Sequence, residues 1–255
     1  MLAIERKNEI LDKLRAEQRV LVSDLAEYYN VTEETIRRDL DKLEKEGYAT
    51  KTYGGAILGN STKTDLSYTI RNKTNVDAKN QIAALASRLI EDGDHLMLDD
   101  SSTSLYLAKK LKEKKNLTVI TNSVELVVEL NGIDGWTIIL TGGRLKPDSL
   151  ALVGDQTQQM LRRYHVDTAV MSCKGIDLEA GVTDSSEFHA QTKQSMLRCA
   201  KKKILILDSS KIDKVSFIDI APLDAFDIVV TNTAPSKPWL DFFADRNVEC
   251  LYPGK

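Results

Sequence analysis

A chain of 255 residues, 42% hydrophobic and 29% charged, can bury one or two folded cores, a balance that excludes wholesale disorder. Its apolar runs are short and broken by charge, and its first residues lack a signal peptide's apolar stretch and cleavage site, so the protein is expected in the cytoplasm, off the membrane. The net charge of -3 excludes a globally basic nucleic-acid binder; residues 1 to 58 hold ten Lys plus Arg against twelve Asp plus Glu, so any DNA contact must come from the placement of charge.

The first periodic segment, Ile4 to Leu14, predicts a helix with Ile4, Ile10, Leu11 and Leu14 turned inward. Ser23 is expected to cap a short second helix, DLAEYY, and Asn30 to make the tight turn that ends it. Thr32 is then the N-cap of a third helix, with Val31 packing on Ile36 as a hydrophobic staple. Projected at the helical period, Ile36, Leu40 and Leu43 form one stripe, whereas Arg38, Lys42 and Lys45 with Thr35 fall on the opposite face and Arg37 on a flank. A solvated helix of mixed charge could carry the same pattern, but here two helices and a turn precede it. After Gly47 the β-prone YATKTY and Gly54-Gly55 predict a hairpin wing. Together they predict a winged helix-turn-helix over residues 1–57, with Thr32, Thr35, Arg38 and Lys42 in the major groove of duplex DNA and Arg37, Lys45, Lys51 and Tyr53 on phosphates.

Residues 58–74 are polar and aperiodic and are expected to be a linker. From 75 to 255, helices alternate with short apolar runs. Helices are expected at Gln81 to Ile90, Ser104 to Leu111, Val124 to Leu130, Gln156 to Tyr164 and Ser186 to Ala200. Strands are expected at His95 to Leu98, Leu117 to Ile120, Trp136 to Leu140, Thr168 to Met171, Lys203 to Leu207 and Ile228 to Val230. The fold class is therefore α/β, a small winged helix followed by a larger sensor domain with a mostly parallel sheet.

Small hydroxyl, Gly and Lys residues recur just beyond the expected strands: Asp99 to Ser104, Thr121 to Ser123, Thr141 to Arg144, Cys173 to Asp177, Asp208 to Lys211 and Thr231 to Thr233. Turns favour such residues anyway, but in an open α/β sheet these loops converge on one crevice, where ligands bind. Asp100, Ser101, Ser102, Thr103 and Ser104 lead into a helix, whose N-terminus suits a phosphate. With Thr121, Asn122, Thr141, Gly142 and Gly143 they suggest a phosphorylated polyol or sugar. Lys79, Lys174, Lys193 and Lys211 are candidates to balance its charge.

The residues resemble a known family in both halves. Arg6, Ile10, the run LAEYYNVTEETIRRDLDKLEKEG and the closing GGA look like the DNA-binding domain of the DeoR family of bacterial sugar-metabolism regulators, with Thr32 where serine is common and Tyr53 where histidine is common. Lys79 with Ile82 and Ala83, then LDDSSTS, ITNS, LTGG, GID, GVT and LDSSK resemble that family's effector-sensing domain, which is similar in fold to ribose-5-phosphate isomerase. The family's phosphate loop commonly reads Asp-Ser-Gly-Thr-Thr; here Ser102 replaces the glycine, and Ala78 stands where an acid usually precedes the lysine.

The resemblance implies a repressor of a carbohydrate operon, a homo-oligomer that binds operator DNA and a sugar phosphate, with no cofactor and no catalysis. The alternative is a sugar-phosphate isomerase with an accessory domain, Asp100 or Asp184 acting as base. No metal site is expected: Cys173, Cys199 and Cys250 lie far apart and read as reduced and incidental, and His95, His165 and His189 are scattered, with packing or surface roles.

Overall fold

A computed structural model describes residues 2–17, 19–45, 48–58 and 68–255. The chain divides after Ser67 into two compact units. Of the stretch expected to link them, residues 59–67 lie outside the described residues, as do 46 and 47 after the third helix; Leu58 ends a strand of the first unit, and Tyr68–Lys73 is helical and belongs with Thr74 to the second.

The first unit contains α1 (Ala3–Glu17), β1 (Arg19–Leu21), α2 (Val22–Tyr29), α3 (Glu33–Lys45), β2 (Ala49–Thr52) and β3 (Gly55–Leu58). Its core joins Ile10, Leu11 and Leu14 to Leu25 and to the Ile36, Leu40 and Leu43 stripe of α3, the face that the helical period assigned inward. Ile4 departs from its pattern: at 64% exposure it faces solvent, one turn before the buried run begins. Ser23 is not a cap. Helix α2 starts at Val22 behind an extended Leu21, and the Ser23 hydroxyl donates to Asp24 Oδ1 instead (2.9 Å). Asn30 closes α2 in the left-handed region (φ 50°, ψ 52°), a conformation that asparagine tolerates better than most residues. Thr32 caps α3, its Oγ1 accepting the Thr35 N–H at 3.3 Å.

The wing is the hairpin β2–β3, and β1 adds a third antiparallel strand that the sequence did not disclose. That addition depends on Gly55, where a Cβ would sit 2.1 Å from the Val20 carbonyl oxygen.

The second unit opens with α4 (Tyr68–Lys73) and α5 (Val76–Ala86). It continues through β4 (His95–Leu98), α6 (Ser102–Leu111), β5 (Thr118–Thr121), α7 (Val124–Leu130) and β6 (Thr137–Leu140). A hairpin, β7 (Arg144–Lys146) and β8 (Ala151–Val153), leads to α8 (Asp155–Leu161), β9 (Val166–Met171), β10 (Gly175–Asp177) and β11 (Gly181–Asp184). The chain ends with α9 (Glu187–Cys199), β12 (Ala200–Ile206), β13 (Ile218–Ala221), β14 (Ile228–Val230), α10 (Lys237–Asp245) and β15 (Glu249–Leu251). Helix α5 starts earlier than expected and ends in a 3-10 turn at Ser87–Leu89, leaving Ile90 extended.

Seven strands form one sheet in the order β15-β14-β12-β9-β4-β5-β6, all paired in parallel. Helices cover both faces of such a sheet, so its strands read as continuous apolar runs whose alternate residues enter different cores. Leu96, Leu98, Val170, Ile204 and Ile206 pack on one side; Met97, Ala169, Met171 and Leu205 pack on the other. Strand order reverses between β4 and β9, so the loops leaving these two neighbours diverge and open a crevice at their carboxyl ends. Two smaller sheets, β7-β8 and β10-β11-β13, lie outside the main one. Among the described residues no helix is long and apolar enough to cross a membrane.

Candidate nucleic-acid interface and ligand crevice

In the first unit, burying one stripe of α3 leaves its opposite edge in solvent, and that edge collects the polar residues singled out above. The Thr32 and Thr35 hydroxyls are 2.9 Å apart at its start. Arg37 pairs with Glu33 (2.8 Å) and Arg38 with Glu34 (3.3 Å), both one turn back, while Lys42 and Lys45 extend the exposed row. Exposed pairs of this kind contribute only about 0.3–0.5 kcal/mol, so a phosphate can displace the glutamates at little cost. On the wing, Lys51 Nζ bonds Asp41 and lies 4.0 Å from Glu44, and Tyr53 is fully exposed at the tip. The edge is held from behind by Arg6 Nε on Asp39 Oδ2 at 2.6 Å, a buried pair tying α1 to α3.

In the second unit the crevice is organised around Asp99, which follows β4. Its Oδ1 accepts from the Ser101 N–H (3.2 Å) and the Ser104 hydroxyl (2.5 Å), and its Oδ2 accepts from the Ser172 N–H beyond β9 (2.9 Å). One buried carboxylate thus fastens the loops on both sides of the switch point. Ser101 caps α6 by accepting from the Ser104 N–H (3.0 Å). With Ser101 and Ser104 engaged, the first-turn N–H groups of Ser102 and Thr103 remain for an anion. Lys211 joins them from its own strand-end loop, donating to the Ser172 hydroxyl at 2.9 Å.

Beside this, Lys193 lies 2.5 Å from Asp184 Oδ2 and 3.5 Å from Asp99 Oδ2. Burial opposes its charge, but Asp184, Asp99 and Asp100 outweigh it and hold the ammonium above the usual lysine range. Asp100 lies 3.3 Å from His189 Nδ1 and accepts from Asn122 Nδ2, also at 3.3 Å. Burial likewise opposes its ionisation, yet His189 and Lys193 keep its carboxyl below the ordinary carboxylate range. On its other side His189 Nε2 is 3.2 Å from Lys146 Nζ, on the β7-β8 hairpin.

Asp100, Ser101 to Ser104, Asn122, Lys193 and Lys211 therefore meet in one place. Other residues chosen from the sequence serve the surrounding frame. Lys79 points its buried ammonium at the backbone carbonyls of Arg71 and Thr74 (2.6 Å to the latter). The Thr121 hydroxyl accepts the Ser123 N–H, and the Gly142 carbonyl accepts from Thr157. At Gly143 (φ 131°) a Cβ would lie 2.2 Å from Thr157 Oγ1. Lys174 is half-buried, its charge acting on Asp184.

His189 corrects an expectation, since it is a buried member of the crevice rather than a packing or surface histidine. Lys146 and Ser172 were also missed, and Asp99, placed in a strand-end loop, was given no role of its own; nothing near His189 or Lys146 in the sequence pairs them.

The family model described as the DeoR-like helix-turn-helix domain matches residues 6–62, and that of the DeoR C terminal sensor domain matches residues 74–233. The chain belongs to the DeoR family. This DeoR-family regulator is similar to the HTH-type transcriptional repressor GlcR of Bacillus subtilis (strain 168), with 37% identity over 247 residues, 97% of this chain and 95% of GlcR. It is 31% identical to the putative aga operon transcriptional repressor of Escherichia coli O157:H7 over 253 residues, covering 98% and 94% of the two chains. Among solved structures, a ribose 5-phosphate isomerase A from Methanocaldococcus jannaschii matches 55% of each chain at 18% identity, with a TM-score of 0.40.

Proposed function

We propose that this DeoR-family regulator is a cytoplasmic homo-oligomeric repressor of a carbohydrate-utilisation operon. It grips duplex operator DNA with the exposed edge of α3, and its grip changes when a phosphorylated sugar enters the crevice of the second unit. The observation that carries the effector reading is the linkage of Lys211, which also lies 3.9 Å from Asp208, through Ser172 and Asp99 to the Ser101 cap of α6, which joins a cation to a loop whose Ser102 and Thr103 N–H groups suit a phosphate. The wing lysine and the cationic row on α3 support the DNA reading. An isomerase is disfavoured, because Asp100 and Asp184, its candidate bases, are both held ionised well below neutrality by Lys193 and His189 against the effect of burial, and such carboxylates are weak bases.

The test is anisotropy of labelled duplexes from the promoter region beside the protein's own gene, titrated with and without hexose and pentose monophosphates. Salt-sensitive retention of one duplex over random DNA, altered by one of the sugar phosphates, is the expected result. Equal affinity for every duplex would refute the operator reading, and turnover of aldose to ketose phosphate at enzymatic rates would refute the regulator-only reading.

A further inference from the structure

We infer that the crevice has a second, hydroxyl-reading end built on Asn122 and Thr141, which makes it selective for sugar monophosphates over bisphosphates and sugar-acid phosphates. The inference rests on the phosphorylated-sugar reading above and assigns the effector's orientation within the site.

Asn122 and Thr141 end adjacent parallel strands. Leu140 pairs with Thr121, and the Thr141 N–H donates to the Thr121 carbonyl at 2.9 Å, which sets Thr141 beside Asn122. Asn122 is 0% exposed and Thr141 2%, yet Asn122 Oδ1 and Thr141 Oγ1 have no hydrogen-bond partner among the described residues. The Asn122 amide cannot be turned over to remove the discrepancy. Its Nδ2 donates to Asp100 Oδ1 (3.3 Å) and to the Leu152 carbonyl (3.2 Å), so the oxygen must be the unsatisfied end. A buried acceptor without a partner is destabilising, and in a ligand crevice the ligand supplies the partner. Asn122 Oδ1 can only accept. It therefore calls for a hydroxyl or another donor and rejects a phosphate or carboxylate oxygen.

The charges at this end agree. Lys146 Nζ lies 3.2 Å from His189 Nε2, and His189 Nδ1 lies 3.3 Å from Asp100 Oδ1. His189 thus stands between the Lys146 ammonium and the Asp100 carboxylate. Lys193 is spent on Asp184 and Asp99. Lys146, Lys193 and Lys174, which acts on Asp184, stand against Asp99, Asp100 and Asp184, with Arg71 also acting on Asp100, so most of the positive charge at this end is already matched. The phosphate goes to Ser102, Thr103 and Lys211, and the hydroxylated end lies against Asn122 and Thr141.

The experiment is calorimetric titration of the full chain with inorganic phosphate, hexose and pentose monophosphates, and fructose 1,6-bisphosphate, repeated on Thr141→Val and Thr141→Ser. Valine matches threonine in shape and removes only the hydroxyl. Thr141→Val should weaken the best sugar monophosphate about 3–10-fold, the effect of one neutral hydrogen bond, with inorganic phosphate unchanged. Thr141→Ser should restore most of the loss. The bisphosphate should bind more weakly than the matching monophosphate. If sugar monophosphates bind the wild type and Thr141→Val alike, the effector class stands and this subsite falls. Tighter binding of the bisphosphate would overturn the subsite as well, and a wild type that binds no sugar phosphate would overturn both readings.

Discussion

Lys193 sits with its ammonium 2.5 Å from Asp184 Oδ2, and both side chains are buried. Removing one member of such a pair strands the other charge. Lys193→Met should therefore destabilise the second unit by about 3–5 kcal/mol, read by urea denaturation. Adding Asp184→Asn should recover part of that loss by removing a stranded charge; a loss as large in the double variant would point to packing instead. Burial opposes ionisation of Asp184, but Lys193 and His189 lower its pKa in the folded state from 3.8. The pair's stabilisation is thus fully present above that unfolded value and is lost as pH falls below it.

Lys79 gives a pH effect of a different origin. Burial first, and the nearby Lys211 second, push its ammonium down to about 7 from 10.5. Between those values the unfolded chain holds the proton and the folded chain does not, so this group makes stability rise with pH across that window. The wild type should therefore gain stability relative to Lys79→Met as pH rises from about 7 to about 9. A constant difference would mean that Lys79 keeps its proton on its two backbone carbonyls.

Arg38 on α3 and Lys51 on the wing should separate reading from gripping. If Arg38 makes a bidentate contact to guanine, Arg38→Ala should weaken operator binding by about 1–3 kcal/mol and relax preference at one position. Lys51→Ala should weaken all duplexes similarly and shallow the salt slope by about one. Since Arg38 carries only an exposed pair with Glu34, its loss should leave thermal stability within about 0.5 kcal/mol. Anisotropy on specific and random duplexes measures both variants, and equal effects on both DNAs would reject the division.

The Arg6 and Asp39 pair predicts the opposite behaviour for a residue on the same helix. Asp39→Asn strands a buried guanidinium and should destabilise the first unit by about 3–5 kcal/mol. Amide hydrogen exchange at Ile10, Leu14, Ile36 and Leu40 should accelerate, with DNA affinity falling through loss of the fold. Unchanged exchange would show the pair to be dispensable.

What was readable in advance follows the range of the signal. The stripe of Ile36, Leu40 and Leu43 repeats within three turns, so the period alone placed α3 and its exposed cationic edge. The strands from β4 to β6 are long enough to show, and the polar residues that end them marked the crevice. Strands β7, β8, β10 and β15 have three residues each, too few for a period to register, whereas β14, just as short, is marked by its unbroken apolar run Ile228–Val230. Helix α4 has six residues inside a polar stretch and gave no signal either.

By itself the sequence determined the architecture, the exposed cationic edge of α3 and the strand-end loops, because helical period, capping and turn chemistry act between near neighbours in the chain. Only the tertiary structure decided which charges meet: Arg6 with Asp39, Lys193 with Asp184 and Asp99, and His189 between Asp100 and Lys146. It also decided that Asn122 Oδ1 and Thr141 Oγ1 are buried without partners. Electrostatic pairing and desolvation depend on distance through space, and residues far apart in the chain acquire that distance only when the sheet closes around them.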